Sequence, residues 1–523
     1  MDIISFINDN LVWGTPMLGL MLFTGLFFTV KSGFFQIRRF PKVLRCTVFA
    51  KTDKSDKNGI TPFRAMCQAL ASTLGTGNIA GVSTAVAIGG AGAVFWMWIS
   101  AFFGMMTGFS ENVLGILYRR KDKNGAWHGG AMYYIRDGLA ENKRMKFLSK
   151  PLSVMFAALC MLAGFGMGNT AQMNSAAEAL KISFGIPNLI TGIILSGIAA
   201  LIVFGGIKRI SSFTAKLVPL MSGIYIIGSL YILIKNSGEL PRVFSEIFSG
   251  AFGFSAIGGG LLGSAMKTAV SMGFKRGVFS NEAGLGTSVF AHCSANVKNP
   301  VQAGMWSIFE IFFDTIVMCT LTALVLLTSP CGLPSANEAL ISVSGEAQYF
   351  RLTDSGSIIT DGNILPEEIH CTSIYGDELT VSTEGLSTYS NIMCIKGQYE
   401  DGHIISAEIE PLSGVGLAAM AFGSVFGKPA EAILSVLVAM FAFSTVIGWS
   451  YFGSEAGVFL AGEKIRKPFC IVFIAFSVIG AAVNMSFAWG ISDMLNGLMA
   501  IPNLIAVLCL QKRVMREVYN DKQ

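Results

Sequence analysis

The chain has 523 residues, 52% of them hydrophobic and only 14% charged, with a net charge of +5 and a mean hydropathy of +0.58. Soluble proteins carry about 25% charged residues. Here the deficit is concentrated in charge-free runs, Leu11 to Val30, Ser153 to Ala177 and Ile182 to Gly206, each long enough to cross a bilayer as a helix. This excludes a soluble multidomain protein, and a transmembrane β-barrel, whose strands alternate over about ten residues. It also excludes a nucleic-acid binder, because the basic residues occupy short connectors rather than one soluble face.

Taken in chain order, the N-terminus Met1-Asp2-Ile3-Ile4 lacks a positive leader region, and the first apolar run is too long for a signal sequence, so it is expected to remain as a span. Eleven spans are predicted near 11–30, 65–88, 92–117, 153–178, 184–205, 214–234, 255–290, 302–328, 430–453, 469–486 and 494–511. The connector after the first span holds Lys31, Arg38, Arg39, Lys42, Arg45, Lys51, Lys54 and Lys57, and the stretch from Arg119 to Lys150 holds nine Lys or Arg, so both are expected on the cytoplasmic side. Alternation then puts Lys208 and Arg209, Lys464 to Lys467 and the C-terminal tail on that side, and the N-terminus outside. A bacterial or archaeal cell membrane is the expected location.

Three regions follow: spans one to eight over 1–330, an acidic segment over 331–411, and spans nine to eleven with a tail over 412–523. The middle region carries 13 Asp or Glu against Arg351 and Lys396 alone, and the rest of the chain has 36 basic and 20 acidic residues. It is expected outside the cell. Alternation in Leu379 to Ser382 and His403 to Ile409, with turn residues at Asp354-Ser355-Gly356 and Asp401-Gly402, predicts a small β-rich insert. Cys371 and Cys394 either pair as a disulfide or stand as separate thiols; the seven cysteines outside this region read as packing residues.

No catalytic signature is present, neither H-E-x-x-H nor G-x-S-x-G, and His128, His292, His370 and His403 lack metal-ligand spacing. An enzyme is not expected. What the chain offers instead is glycine inside spans. In span two, Gly75-Thr76-Gly77-Asn78, followed by Gly81, predicts either local unwinding that presents backbone to a ligand or close packing through the Gly77/Gly81 pair. In span seven, the stretch Gly273 to Gly286 interrupts the helix with Lys275, Arg276, Asn281, Glu282 and three further glycines. Interrupted spans five apart point to two inverted five-helix repeats, spans two to six and seven to eleven, with a site at the midplane. In span nine, Ser444 and Thr445 can supply hydroxyl oxygens to a monovalent cation, with Trp449 on the same face, or can bond their own helix beside an interfacial tryptophan.

Charges inside spans are functional candidates. Glu310 and Asp314 are four residues apart on one predicted face and read as a cation pathway, gate or proton relay, or as a structural pair answered by Lys267, Lys275 or Arg276. Glu282 reads as a helix cap or a gate, and Glu111 as a surface partner of Arg119 and Arg120.

The strings Gly75 to Val82, Gly89-Gly90-Ala91-Gly92-Ala93-Val94-Phe95-Trp96-Met97-Trp98, Gly129 to Ile135, Arg276 to Gly286 and Thr445 to Gly453 resemble the alanine or glycine:cation symporter family, over nearly the whole chain. Ala91 and Ala131 stand where that family's pattern has proline, and the 331–411 segment is not expected in typical members. The resemblance implies an all-α membrane protein of LeuT-type fold and import of alanine or glycine coupled to Na⁺ by alternating access. It implies that Thr76, Gly77 and Asn78 meet the substrate carboxylate, that Gln172 and Asn174 bond its charged ends, that Phe274 and Phe279 bound its side chain, and that Thr445 and Trp449 line the pocket. Na⁺ is expected between Gly75 and the hydroxyls of Ser444 and Thr445. The expected partners are a small neutral amino acid and the lipid bilayer. Two rivals are an H⁺-coupled transporter using Glu310 or Asp314, and a surface receptor acting through the insert.

Overall fold

The structure is a computed structural model that describes residues 6–8, 12–48, 59–122, 125–252, 261–329, 338–343, 346–352, 368–373, 378–382, 393–400, 403–411, 414–483 and 485–521. Side chains are described throughout these ranges except over 261–265 and 338–411 and at 48, 420, 428 and 485–488. The apolar runs form the helices that bilayer solvation demands, since a backbone without water must bond within its own segment. Eight helices among the described residues are long and apolar enough to cross a membrane. They comprise Thr15–Ser32 (span one), Gly92–Tyr118 (three), Lys146–Phe184 (four), Gly206–Lys235 (six), Pro300–Thr328 (eight), Pro429–Ala461 (nine), Glu463–Ala482 (ten) and Trp489–Cys509 (eleven). The shorter helix Asn188–Val203 is span five.

The remaining two spans are broken. Span two is Pro62–Thr73 and Ala80–Gly89, joined through a single 3₁₀ turn at Thr76–Asn78; span seven is Leu261–Asn281 and Ser288–Cys293, joined through 282–287. Local chemistry sets their ends. Thr61 accepts from the Arg64 N–H with Pro62 at the first helical position, a sequence-coded helix start. Asn299 does the same for span eight, accepting from the Val301 N–H before Pro300. A short parallel bridge, Ile60 N–H to Ser294 O at 3.1 Å and Asn296 N–H to Ile60 O at 2.9 Å, ties the start of span two to the end of span seven.

Two π-helical turns, Gly166–Thr170 in span four and Phe312–Cys319 in span eight, add a residue to the local repeat and rotate the faces that follow. Outside the spans, helix Leu240–Ala251 packs on span three, and helix Gly414–Phe426 precedes span nine. At the span three to four connection, β1 (Arg120–Lys121) and β2 (Trp127–His128) form a small antiparallel ladder.

The acidic region holds a six-stranded sheet of β3 (Glu338–Val343), β4 (Glu346–Leu352), β5 (Glu368–Ser373), β6 (Glu378–Ser382), β7 (Met393–Glu400) and β8 (His403–Pro411), in the order β6-β5-β4-β3-β7-β8. Only β3 and β7 pair in parallel. Position 371 lies on β5 and position 394 on β7, with β4 and β3 between them. At about 4.8 Å per strand that separation exceeds the reach of a disulfide, so the Cys371–Cys394 pairing is set aside.

Two further expectations are corrected. The interruption of span seven is shorter and later than the Gly273–Gly286 stretch, because Lys275 and Arg276 lie within the continuous helix and find an acidic partner on span eleven. Glu111 is buried rather than at the surface, and accepts from the Asn503 side-chain amide. Arg119, its expected partner, donates instead to the carbonyls of Cys293, Ala295 and Val297, and Arg120 pairs with Asp137 at 2.7 Å.

Candidate functional site

The two breaks meet. Gly77 lies against span seven so closely that a Cβ there would be 3.3 Å from Phe279 Cδ1 and 3.4 Å from Ser280 Cα, and Asn78 Nδ2 donates to Ser280 Oγ at 3.0 Å. Unwinding, not helix packing through the Gly77/Gly81 pair, is what these glycines provide, since a Cβ on Gly81 would approach only Arg276 Cδ, at 3.8 Å.

On one side of the span-two break, Gln172 Oε1 accepts from both the backbone N–H and the hydroxyl of Thr76, each at 3.0 Å. The side-chain carbonyl thus stands where a carboxylate oxygen can bond the same two donors. The π turn of span four carries this region, and its Gly168 is a requirement of space: a Cβ would fall 2.3 Å from Trp449 Cβ. Trp449 is fully buried in mid-helix, not at an interface, and donates its indole N–H to Glu282 Oε1 at 2.9 Å. Glu282 sits just past the first half of span seven with φ of 56°, a left-handed conformation costly for a side-chain-bearing residue. Its second oxygen accepts from Thr287 across the break, so it ties span seven's two halves to span nine.

Oxygen atoms converge where span nine meets the end of Pro62–Thr73. Ser444 Oγ lies 3.2 Å from Ala71 O, 3.4 Å from Leu74 O and 2.8 Å from Phe441 O; Thr445 Oγ1 lies 3.2, 3.4 and 3.1 Å from the same three carbonyls. Three carbonyls and two hydroxyls, all neutral oxygen, make a donor set suited to a hard cation. The span-two carbonyls are those of Ala71 and Leu74 rather than that of Gly75, which accepts from the Asn78 N–H at 3.4 Å. Gly75 contributes space: a Cβ would lie 2.6 Å from Thr445 Oγ1.

On the other side of the break lies a carboxylate. Asp314 Oδ1 accepts from Asn78 Nδ2 at 2.7 Å, and Oδ2 from Ser280 Oγ and Thr315 Oγ1, both at 2.8 Å. Glu310 does not share its surroundings, because the π turn beginning at Phe312 separates them; Glu310 faces His292. Of the expected basic answers, Lys275 Nζ lies 2.7 Å from Asp493 Oδ2 and Arg276 3.7 Å from Asp493 Oδ1, and Lys267 is exposed.

Two of the expected site residues fall away from the breaks. Asn174 donates to Gly480 O at 3.4 Å and Val483 O at 2.5 Å, fixing the end of span ten. Phe274 packs 6.2 Å from the ring of Trp96 and faces a cavity bounded by Met21, Ser100 and Leu504. Phe279 does reach the break, stacked on Trp489 at 4.8 Å with the Arg276 guanidinium 4.7 Å over that indole. Together with the Lys275–Asp493 pair these residues cover one side of the site. Asp493 and Trp489 escaped the sequence reading because span eleven was expected to begin at 494, whereas the helix runs from Met485 to Cys509. The carbonyls of Ala71, Leu74 and Phe441 gave no signal, because backbone ligands carry no residue identity.

Outside the spans, His128 on β2 joins the span three to four connector to the end of span nine, its Nδ1 2.8 Å from Glu455 Oε2 and its Nε2 3.7 Å from both Asp122 and Glu463. The hydrogen bond to Glu455 raises its proton affinity above that of an ordinary histidine. Arg466 pairs with Glu455 at 2.8 Å and with Glu463 at 3.1 Å in the same cluster.

Broken helices meeting at mid-span, with a neutral oxygen cluster on one and buried polar side chains between them, match the architecture of a secondary transporter of LeuT-type fold. The crystal structure of MhsT in complex with L-phenylalanine overlays with a TM-score of 0.53 at 13% identity, covering 87% of this chain and 89% of that one. The description "sodium:alanine symporter family" matches residues 1–360 and 383–523, and the chain belongs to that family. It is 38% identical to the sodium/alanine symporter AgcS of Methanococcus maripaludis, over 99% of this chain and 97% of that protein. It is 31% identical to the probable sodium/glutamine symporter GlnT of Bacillus subtilis, over 98% and 88%. The protein is a multi-pass, sodium-coupled amino acid transporter and not an enzyme. The family match is interrupted over 361–382, inside the acidic region.

Proposed function

We propose that the protein imports alanine, glycine or both by alternating access, driven by the inward Na⁺ gradient. The observation that carries this reading is the cluster of five oxygens from Ala71, Leu74, Phe441, Ser444 and Thr445, built on the same break whose Thr76 N–H faces Gln172. A cation there binds span two to span nine. The substrate carboxylate replaces Gln172 Oε1 at the N–H and hydroxyl of Thr76, next to Gly77 and Asn78. Because both ligands hold one break, each favours the other, and the coupling is reciprocal. Phe279 against Gly77, with Trp449 on Gly168, leaves little room for a side chain and supports a hydrogen or methyl group. Such size selection is soft, about 1 to 3 kcal/mol per methylene, so serine passes weakly. Asp314, beside the break, supports a cation pathway on the second side.

The N-terminus and the 331–411 region lie outside and the C-terminus in the cytoplasm, as the placement of basic connectors supports. Transport is the work of 1–330 and 412–523, and the insert is dispensable for it. The test is uptake of labelled alanine and glycine into proteoliposomes under an inward Na⁺ gradient, an equal K⁺ gradient or an inward H⁺ gradient. Accumulation under Na⁺ alone is expected. Accumulation under H⁺ alone transfers the coupling to Glu310 or Asp314, and no movement under any gradient overturns the substrate assignment.

A further inference from the structure

Between Ser288–Cys293, span three and span eight lies a group of buried polar atoms that the transport site does not use. Both carboxyl oxygens of Glu310, Nε2 of His292 and Oγ of Ser307 have no hydrogen-bond partner among the described residues. His292 and Glu310 are 0% and 1% exposed, and His292 Nε2 lies 3.8 Å from Glu310 Oε2. Unpaired buried polar atoms are rare and demand an explanation.

The surrounding bonds fix the proton on the imidazole. Asn112 Nδ2 donates to Gly108 O at 3.0 Å and Ser288 Oγ at 2.9 Å, which turns Asn112 Oδ1 toward His292 Nδ1 at 2.8 Å. That oxygen only accepts, so Nδ1 carries the hydrogen and the neutral ring presents a lone pair at Nε2. An ionised Glu310 would then be a buried charge without a single donor, the costliest arrangement available to it. An ion pair with protonated His292 would lack the extra hydrogen bonds that offset burial of two charges.

Among the described residues, no neighbouring charge relieves this. Glu111 is held by Asn503, Glu282 by Thr287 and Trp449, and Asp314 by Asn78, Ser280 and Thr315. Arg119 donates to the carbonyls of Cys293, Ala295 and Val297, Lys42 pairs with Asp521, and Arg45 and Arg64 are exposed.

We propose that Glu310 and His292 form a proton-binding site in which one proton sits on the Glu310 carboxyl and is donated to His292 Nε2. A small rotation of the carboxyl closes the remaining gap, and the pair is neutral. Releasing the proton leaves a carboxylate that needs water, so the site stays filled while His292 lies against Glu310 and Trp306 of span eight and empties when they part. The packing beside the span-seven break is thereby proton-dependent.

The test is infrared difference spectroscopy of the full-length protein in lipid at neutral pH, wild type against Glu310→Gln. The expected result is a carboxylic-acid C=O stretch present in the wild type and lost in the variant, and displaced in frequency by His292→Asn. A wild type with no Glu310-dependent carboxylic-acid band overturns the site, and a band unmoved by His292→Asn overturns the pairing. Should Glu310→Gln fail to fold, Glu310→Asp must displace the same band. The spectrum requires no transport, so its outcome is independent of the transport reading.

Discussion

At the scale of single residues, the site depends on atoms that ordinary substitution scoring would pass over. Thr445 brings one hydroxyl to three carbonyls, and a hydrogen bond or ligand to a charged group is worth about 1.5 to 3 kcal/mol. Thr445→Val is therefore expected to raise the Na⁺ concentration for half-maximal uptake by an order of magnitude or two, leaving the maximal rate at saturating Na⁺ less affected. Trp449→Ala removes the bond to Glu282 and the wall against Gly168 and is expected to raise the KM for alanine, read in the same assay. Gly168→Ala places a methyl group where Trp449 already is. Overpacking of this kind costs about 1 to 3 kcal/mol, and reduced thermal stability with loss of uptake is the expected outcome. Thr76 and Thr445 stood out in the sequence as polar groups within apolar helix, and Gln172 through the family resemblance. Asn174 lies two residues from Gln172 on the helix Ala171–Phe184, so it points to the opposite side and bonds span ten instead.

Elements explain why the two breaks fall where they do. Spans two and eight start at Thr61-Pro62 and Asn299-Pro300, side-chain caps followed by proline, which is legible from sequence. The break in span two was half legible: glycine, threonine and asparagine together disfavour helix, but the Gly77/Gly81 spacing fitted close helix packing as well. Span seven misled because Lys275 and Arg276 look like an interruption until Asp493 is brought beside them by the fold. Close approach also decides helix Leu240–Ala251, whose Gly250 touches Gly92 at the start of span three so that a Cβ on Gly92 would lie 2.3 Å from Gly250 C. Gly92→Ala is expected to push that helix off span three and lower the unfolding temperature in detergent, whereas Gly223→Ala, at a position with open space around it, leaves it unchanged.

For the whole molecule, the arrangement is two broken spans held together at their centre by Asn78 and Ser280 and at one end by the Ile60–Ala295 bridge, with spans four and nine supplying the other wall. The inverted repeat was inferred from the five-span spacing of the interruptions, which survives in the structure although few residues repeat. The β-rich reading of 331–411 likewise holds in six strands, but strand order was beyond alternation patterns, which carry no information about neighbours. One pH effect belongs to this scale. The bond to Glu455 raises the proton affinity of His128 in the folded state, so its stabilisation is complete below the ordinary histidine pKa and is lost as pH rises through the folded value. Unfolding temperature is expected to fall above about pH 6.5, and His128→Gln to flatten that slope.

The central claim is that one break binds both ligands, so that Na⁺ and amino acid bind cooperatively. The most direct measurement is the affinity of the purified protein for alanine at increasing Na⁺, with ionic strength held by K⁺, in the wild type and in Thr445→Val. The affinity of the wild type should rise with Na⁺ and that of the variant should need far more Na⁺ to reach the same value. Equal alanine affinity in Na⁺ and K⁺ for the wild type would contradict it.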